Sequence, residues 1–122
     1  MVREGLIIGA YSTEPEFGKH IIREGATIFF DKSDVEGLTE WAEQLKGKVL
    51  FLVDDHEGVL KAMAKLLEGK GVKVHTFEKA TDALDNMSKI DPDVVLTDIN
   101  MPGMNGIEFT QKLRVMFPKS TE

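Results

Sequence analysis

The sequence contains no cysteine, which excludes disulfide bonds, thiolate metal sites and catalysis by a thiol. It also lacks an excess of basic residues, since its formal net charge is -6. Nucleic acids and anionic membranes are bound by clustered Lys and Arg, so neither is an expected direct partner. No apolar run approaches the roughly 20 residues of a membrane-spanning helix, and the N-terminus lacks the pattern of a leader peptide. We therefore expect a soluble, cytoplasmic protein.

What the chain does contain is enough apolar sequence for one compact domain, with 42% hydrophobic residues among 122. Short apolar runs alternate with segments whose apolar residues recur every three or four positions. We predict strands over residues 5–11, 27–30, 49–53, 73–77 and 94–97, and helices over about 14–26, 34–45, 57–69, 80–89 and 106–117. This alternation predicts an α/β fold in which helices cover both faces of a parallel sheet.

The ends of the predicted helices carry their own signals. A polar residue followed three positions later by Glu predicts a capping box at three helix starts: Thr13 with Glu16, Ser33 with Glu36, and Asn105 with Glu108. A residue able to adopt positive φ is expected just after three helices: Gly25, Gly47 and Gly71. These signals set the expected helix boundaries.

Charged residues follow three of the predicted strands. Asp54 and Asp55 come directly after the third strand, Asp98 follows the fifth, and Lys32 lies just beyond the second. In an open parallel sheet, ligands bind beyond the carboxyl ends of the strands. Three carboxylates brought together there would raise one another's pKa unless a cation neutralised them, and Mg²⁺ suits oxygen ligands and phosphate. A carboxylate nucleophile at such a site would form an aspartyl phosphate.

Each of these residues also has a simpler interpretation when taken alone. Asp54 and Asp55 could cap the following helix and complement its dipole. Asp98 could start the turn that follows it, and Lys32 could be a solvated surface residue. Their shared position at one end of the sheet favours the functional interpretation. The histidines show no metal-ligand spacing and are interpreted as structural or surface residues: His20, His56 and His75.

Two segments of the chain resemble the receiver domains of two-component response regulators. The run VLFLVDD over residues 49–55 and the run DVVLTDINMPGMNG over residues 93–106 are similar to the first and third strands of that family. In the usual receiver order, a fourth strand, a fifth strand ending in Lys and a last helix would follow. Here these parts are expected at the start of the chain.

The first 45 residues resemble that missing half. The run LIIGAY over residues 6–11 looks like the fourth strand, and GATIFFDK over residues 25–32 looks like the fifth. The resemblance therefore implies one circularly permuted domain over residues 1–122, in which residues 46–48 join the two halves and residues 49–122 resemble the N-terminal half. The implied fold is a flavodoxin-like, doubly wound five-stranded parallel sheet, with the order 2-1-3-4-5 in family terms.

The resemblance assigns roles to residues of this chain that match the family's motifs. Asp98 is the implied phosphoacceptor, and Lys32 is the implied contact of the phosphoryl group. The implied Mg²⁺ ligands are the carboxylates of Asp54, Asp55 and Asp98 and the backbone carbonyl of Asn100. The implied switch positions are Gly9 and Phe29.

Two departures from the family pattern affect these roles. Gly9 aligns with a Ser or Thr whose hydroxyl binds a phosphoryl oxygen, so we expect a space open to water and a weakened movement of Phe29. Ser33 stands where the family has Pro after the Lys. A cis peptide before Ser33 would cost about 3 kcal/mol, which favours a trans peptide.

The resemblance implies a phosphoryl-accepting switch with at most self-catalysed phosphotransfer. Its partners would be a histidine kinase or phosphotransfer protein and an unidentified downstream protein. A phosphorylation-independent interaction module of the same fold is the alternative, and an engineered permutant with no physiological role would have the same sequence. A small phosphatase is disfavoured because no acidic residue lies two positions after Asp98. Exchange of the two halves between chains would give a domain-swapped dimer.

Overall fold

The computed structural model describes residues 5–118, and in that range five strands alternate with five helices. The strands are β1 (Ile7–Ser12), β2 (Ile28–Asp31), β3 (Val49–Val53), β4 (Lys73–Phe77) and β5 (Val94–Asp98). The helices are α1 (Phe17–Arg23), α2 (Val35–Glu43), α3 (Glu57–Gly69), α4 (Ala80–Asn86) and α5 (Gly106–Met116). The predicted α/β class is confirmed.

All five strands form one parallel sheet with the order β2-β1-β5-β3-β4. The central strand β5 is buried at every position, as its unbroken apolar run predicts for a strand covered on both faces. It pairs with β1 on one side and with β3 on the other. The strands from before and after residues 46–48 therefore belong to the same sheet.

Helices cover both faces of this sheet, as predicted. One face packs against α1, α4 and α5 through the buried side chains of Ile21, Ala80, Ala83, Phe109 and Leu113. The other face packs against α2 and α3 through Leu38, Ala42, Leu60, Ala64 and Leu67. The three- and four-residue spacing of these apolar side chains places them on the buried side of each helix. Within residues 5–118 no helix is both long and apolar enough to cross a membrane.

Polar contacts also connect the early and late parts of the chain. The Arg114 guanidinium in α5 donates from Nε to the carbonyl oxygen of Gly25 at 2.7 Å. Gln111, on the same helix, donates to the Glu24 carboxylate at 3.0 Å. The backbone N–H of Ile7 donates to the carbonyl of Asp93 at 3.2 Å. Residues on both sides of the linker thus share a core and a hydrogen-bond network.

The predicted capping box at the start of α1 is wrong. The helix begins at Phe17 rather than near residue 14, and its N-cap, Glu16, makes no side-chain capping bond. A turn precedes it, in which Phe17 N–H donates to the carbonyl of Glu14 and Gly18 N–H donates to that of Pro15. These turn bonds satisfy the first N–H groups of the helix, which a capping side chain would otherwise bind.

The box predicted at Ser33 is wrong as well. The N-cap of α2 is Asp34, whose side chain accepts from Gly37 N–H at 2.9 Å, because the Ser33 hydroxyl instead donates to Asp31 at 2.6 Å. The third box, at the start of α5, is confirmed in both of its hydrogen bonds. The three predicted helix-terminal glycines all adopt positive φ, at 120°, 81° and 86°.

Candidate functional site

Two buried carboxylates lie side by side at the carboxyl edge of the sheet. Asp98 is the last residue of β5, and Asp54 directly follows β3. Since Val53 pairs with Thr97, the next residue of each strand reaches the same edge. The side chains of Asp54 and Asp98 are only 0% and 1% exposed. The structure therefore brings these two predicted residues together, in surroundings where an ionised pair needs a cation.

Lys32 supplies a cation to this pair from the opposite side of the linker. Its Nζ lies 3.3 Å from Asp98 Oδ2 and 4.0 Å from Asp54 Oδ2. The side chain is 22% exposed, so Lys32 is not a freely solvated surface residue. Its backbone N–H donates to the carbonyl of Ser12, which continues the β1–β2 pairing to the edge. The peptide before Ser33 is trans, as expected.

The environment of Asp98 disfavours its charged form. Burial raises the pKa of the Asp98 carboxyl above its ordinary value of 3.8, and the nearby charge of Asp54 raises it further. The Lys32 ammonium and the N–H of Asn100, which donates to Asp98 Oδ1 at 3.3 Å, act in the opposite direction but do not cancel the rise. The folded protein therefore binds a proton at Asp98 more tightly than the unfolded chain does.

This pKa shift predicts how stability depends on pH when no metal is present. The folded state holds more protons than the unfolded state above pH 3.8, so the contribution of Asp98 to stability decreases as pH rises through its raised pKa. We expect Asp98→Asn to be more stable than the wild type at neutral pH, and the difference to shrink toward acidic pH. Urea unfolding in a chelator across this range measures it. A wild type that is the more stable protein at neutral pH would contradict the prediction.

Tyr11 belongs to the candidate site, although the sequence patterns did not predict it. It lies in β1 opposite Asp98, and its hydroxyl donates to Asp54 Oδ2 at 2.7 Å. Burial, and then the Asp54 carboxylate, raise the pKa of Tyr11 well above its ordinary value, so the hydroxyl keeps its proton at neutral pH. Lys32 Nζ lies 5.4 Å from the centre of the Tyr11 ring. Tyr11 lies next to the last residue of an apolar strand. That position, near the edge of the sheet where the acidic residues were expected, was the available signal.

Replacing this tyrosine tests how strongly the hydroxyl supports Asp54. We expect Tyr11→Phe to lower the free energy of unfolding by about 2 kcal/mol, because a buried carboxylate loses a hydrogen-bond donor. Chemical denaturation measures the change. Repeating it in an Asp54→Asn background provides a double-mutant cycle, in which the cost should fall. An equal cost in both backgrounds would mean that the hydroxyl contributes to stability independently of the Asp54 carboxylate.

The acidic cluster fits the divalent cation that the resemblance to receiver domains implies. Atoms of Asp54, Asp55, His56 and Asp98 that could bind a metal all lie within 4.8 Å of one another. Asp55 Oδ1 is buried. Within residues 5–118 it is the one buried side-chain nitrogen or oxygen atom that has no hydrogen-bond partner. A buried carboxylate oxygen without a partner is costly, and a cation would satisfy it.

Gly9 does not reach this cluster. It pairs with Leu96, two positions before the level of Asp98, because β1 continues to Ser12. A Cβ atom at Gly9 would lie 2.8 Å from the Trp41 ring, so the expected space for water is filled by that side chain. The position at the end of the strand is occupied by Ser12, which is buried and accepts the N–H of Glu14 at 3.0 Å.

Phe29 lies three residues before Lys32, within β2. Its half-buried ring packs against α1 beside Gly18, where an added Cβ would approach the ring to 2.9 Å. Asn100, the other implied ligand, directs its N–H to Asp98. The structure thus gathers the acidic residues, Lys32 and Asn100 at one site, while Gly9 and Phe29 lie along the strands leading to it.

Part of the chain is similar to known proteins of one family. The family model described as response regulator receiver domain matches residues 50–121. The sensory/regulatory protein RpfC of Xanthomonas campestris pv. campestris is 42% identical over 67 residues, which is 55% of this chain and 9% of that protein. The C4-dicarboxylate transport transcriptional regulatory protein DctD of Rhizobium meliloti is 39% identical over 69 residues, 57% of this chain and 15% of that protein.

The DNA-binding transcriptional regulator NtrC of Klebsiella pneumoniae is 33% identical over 70 residues, again 57% of this chain and 15% of that protein. The chain therefore spans only a small part of the length of these relatives. No solved structure gives a significant match. Because the family model covers more than half of the sequence, including both acidic strand ends, the chain belongs to the response regulator receiver domain family.

Proposed function

We propose that this chain is a phosphoryl-accepting receiver of two-component signal transduction, in which modification of Asp98 changes binding to a partner protein. One observation carries the proposal: Lys32 Nζ lies 3.3 Å from the buried Asp98 carboxylate, although Lys32 lies outside the segment that matches the family model. A nucleophilic carboxylate and a cation able to pair with phosphoryl oxygens thus stand together at the sheet edge.

The order of the chain is part of this proposal. Residues 1–45 supply the second half of a receiver, residues 46–48 join the halves, and residues 49–122 supply the first half, all in one domain. Support comes from β1 and β2, which extend the sheet beyond β5; read from β4, the strands then follow the family order 2-1-3-4-5. Residues 1–4 and 119–122 lie outside the described part of the chain.

Four residues would hold Mg²⁺ in this proposal: Asp54, Asp55, Asp98 and, through its backbone carbonyl, Asn100. When bound, the ion would neutralise the carboxylates and bind the oxygens of an incoming phosphoryl group. The unpartnered Asp55 Oδ1 supports this assignment. Tyr11 contributes by fixing the orientation of the Asp54 carboxylate through its 2.7 Å hydrogen bond.

The transfer itself uses Asp98 as the nucleophile. A carboxylate oxygen of Asp98 forms a bond to phosphorus, and the bond from phosphorus to the donor's nitrogen or oxygen breaks, with its electron pair leaving on the donor. After the transfer, Lys32 pairs with the negative charge of the phosphoryl group on Asp98. Ser12, rather than Gly9, supplies the strand-end hydroxyl in this proposal, and Phe29 remains the proposed switch aromatic.

The partners follow from this chemistry. A histidine kinase or phosphotransfer protein would donate the phosphoryl group, and a downstream protein would bind the modified form in the cytoplasm. The domain is not a metabolic enzyme in this account, since its only reaction is on its own Asp98. In a domain-swapped dimer, the same site would be formed by residues of two chains. Light scattering distinguishes such a dimer from a monomer.

Incubation with acetyl phosphate and Mg²⁺ tests the proposal. We expect intact-mass spectrometry to show one added phosphoryl group per chain, in an amount that falls when Mg²⁺ is chelated. A folded protein that stays unmodified with both reagents present would contradict it. That result would favour the phosphorylation-independent interaction module.

A further inference from the structure

We propose that His56 is an additional ligand of the cation held by the acidic cluster, so that this site prefers first-row transition-metal dications to Mg²⁺. The inference rests on the proposed function, because it concerns the same cation site. It goes beyond that function by adding a nitrogen donor to a set that otherwise offers only oxygen. The consequence is a different order of metal affinities.

The spacing of three donor atoms carries the inference. His56 Nδ1 lies 3.2 Å from Asp54 Oδ1 and 3.2 Å from Asp55 Oδ1. Two ligands bound to one ion at about 2.1 Å are separated by roughly 3.0 Å in octahedral geometry and roughly 3.4 Å in tetrahedral geometry. Both distances fall between these values, so His56 Nδ1 already has the separation of a neighbouring ligand from each of the two carboxylate oxygens.

The atom Asp55 Oδ1 gives independent support. It is buried and has no hydrogen-bond partner, and its 3.2 Å approach to His56 does not have hydrogen-bonding geometry. The imidazole therefore does not satisfy this oxygen directly. His56 Nδ1 already has a hydrogen-bond contact with Asp54 Oδ1 at 3.2 Å, so Asp55 Oδ1 is the atom that lacks a partner, and an ion bound between it and His56 Nδ1 would supply one.

The position of His56 also leaves its ring available for a ligand role. It is the N-cap residue of α3 but makes no side-chain capping bond, and its side chain is 62% exposed. Its backbone N–H donates to Asp54 Oδ1 at 2.8 Å, which holds the residue close to the carboxylates. The backbone hydrogen bond thus holds His56 in place, and its ring is directed toward the cluster instead of toward the free N–H groups of the helix.

A nitrogen ligand changes which ions the site prefers. Carboxylate, carbonyl and water ligands suit Mg²⁺, whereas imidazole suits transition metals, whose affinities rise from Mn²⁺ toward Cu²⁺. Removing His56 should therefore weaken binding of Co²⁺ by about tenfold or more and leave Mg²⁺ affinity within about twofold. The ratio of the two affinities is the quantity that depends on the imidazole.

The test uses the whole chain with Mn²⁺ as a paramagnetic probe. We expect electron spin echo envelope modulation to show coupling to a coordinated ¹⁴N nucleus in the wild type and to lose it in His56→Ala. His20→Ala is the matched control, because His20 lies on α1, is half-exposed and pairs with Glu24 at the end of that helix. Titration of Mg²⁺ and Co²⁺ into the three proteins measures the affinity ratio.

The outcomes separate this inference from the function on which it rests. Mn²⁺ bound without nitrogen coupling, or an unchanged affinity ratio in His56→Ala, would overturn the role of His56 while leaving an oxygen-ligated receiver site. Absence of binding by all three ions would instead contradict the proposed cation site itself. Loss of nitrogen coupling in His20→Ala alone would place the ion elsewhere and also overturn the inference.

Discussion

Asp98→Asn is expected to abolish phosphorylation of the chain by acetyl phosphate. The amide cannot act as the carboxylate nucleophile, but it has nearly the same shape, and its one oxygen can accept one of the two hydrogen bonds that Asp98 accepts from Lys32 and Asn100. The variant should therefore fold and yet show no added phosphoryl group by intact-mass spectrometry. Loss of function without loss of structure would locate the chemistry at this one side chain.

Asp85→Asn is the matched control for this experiment. Asp85 is exposed on α4, away from the carboxyl edge of the sheet, and its replacement should leave phosphorylation unchanged. If Asp98→Asn retained wild-type phosphorylation, the acceptor would be a different residue. Peptide mapping of the modified variant would then identify it.

Gly106→Ala is expected to cause the largest loss of stability, about 3 kcal/mol, because it overpacks the contact between α5 and β5. A Cβ atom at this position would collide with the carbonyl oxygen of Asp98 and lie 2.7 Å from Ile99 Cα. These are backbone atoms, so they cannot move aside as a flexible side chain could. The displacement would also shift the Asp98 backbone, so cation binding should weaken together with stability.

Gly58→Ala tests whether this cost comes from the close contact or from glycine as such. Gly58 lies in α3 with open space around its Cα, so alanine should stabilise the helix by up to about 1 kcal/mol. Urea unfolding of both variants gives the two changes. Equal effects of the same sign would contradict the account of the α5–β5 contact.

Much of the site follows from the sequence because strand ends can be located by their hydrophobic patterns. The apolar runs ending at Val53 and Thr97 placed Asp54 and Asp98 at one edge of a parallel sheet, and the structure has them there. Lys32 followed in the same way from the run before it. These predictions needed only the fold class and the strand ends.

The features that the sequence did not predict depend on strand register and on contacts between residues that are distant in the chain. Gly9 was aligned with the family's Ser or Thr, but β1 runs on to Ser12, so Ser12 and not Gly9 lies at the end of the strand. The Tyr11 hydrogen bond joins residues 43 positions apart, so no local pattern reveals it. His56 directly follows Asp54 and Asp55, but the fourth residue of the cluster, Asp98, lies at the end of β5, so the sequence alone does not show the whole group.

The most direct test of the account is fluorine NMR of beryllofluoride added to the protein, since this ion mimics a phosphoryl group on a carboxylate. The central claim is that Lys32 from before the linker and Asp98 from after it form one phosphoryl site. We predict a bound signal that requires Mg²⁺ and is lost in Asp98→Asn and weakened in Lys32→Ala. Absence of a bound signal from the folded wild type with Mg²⁺ present would contradict the claim.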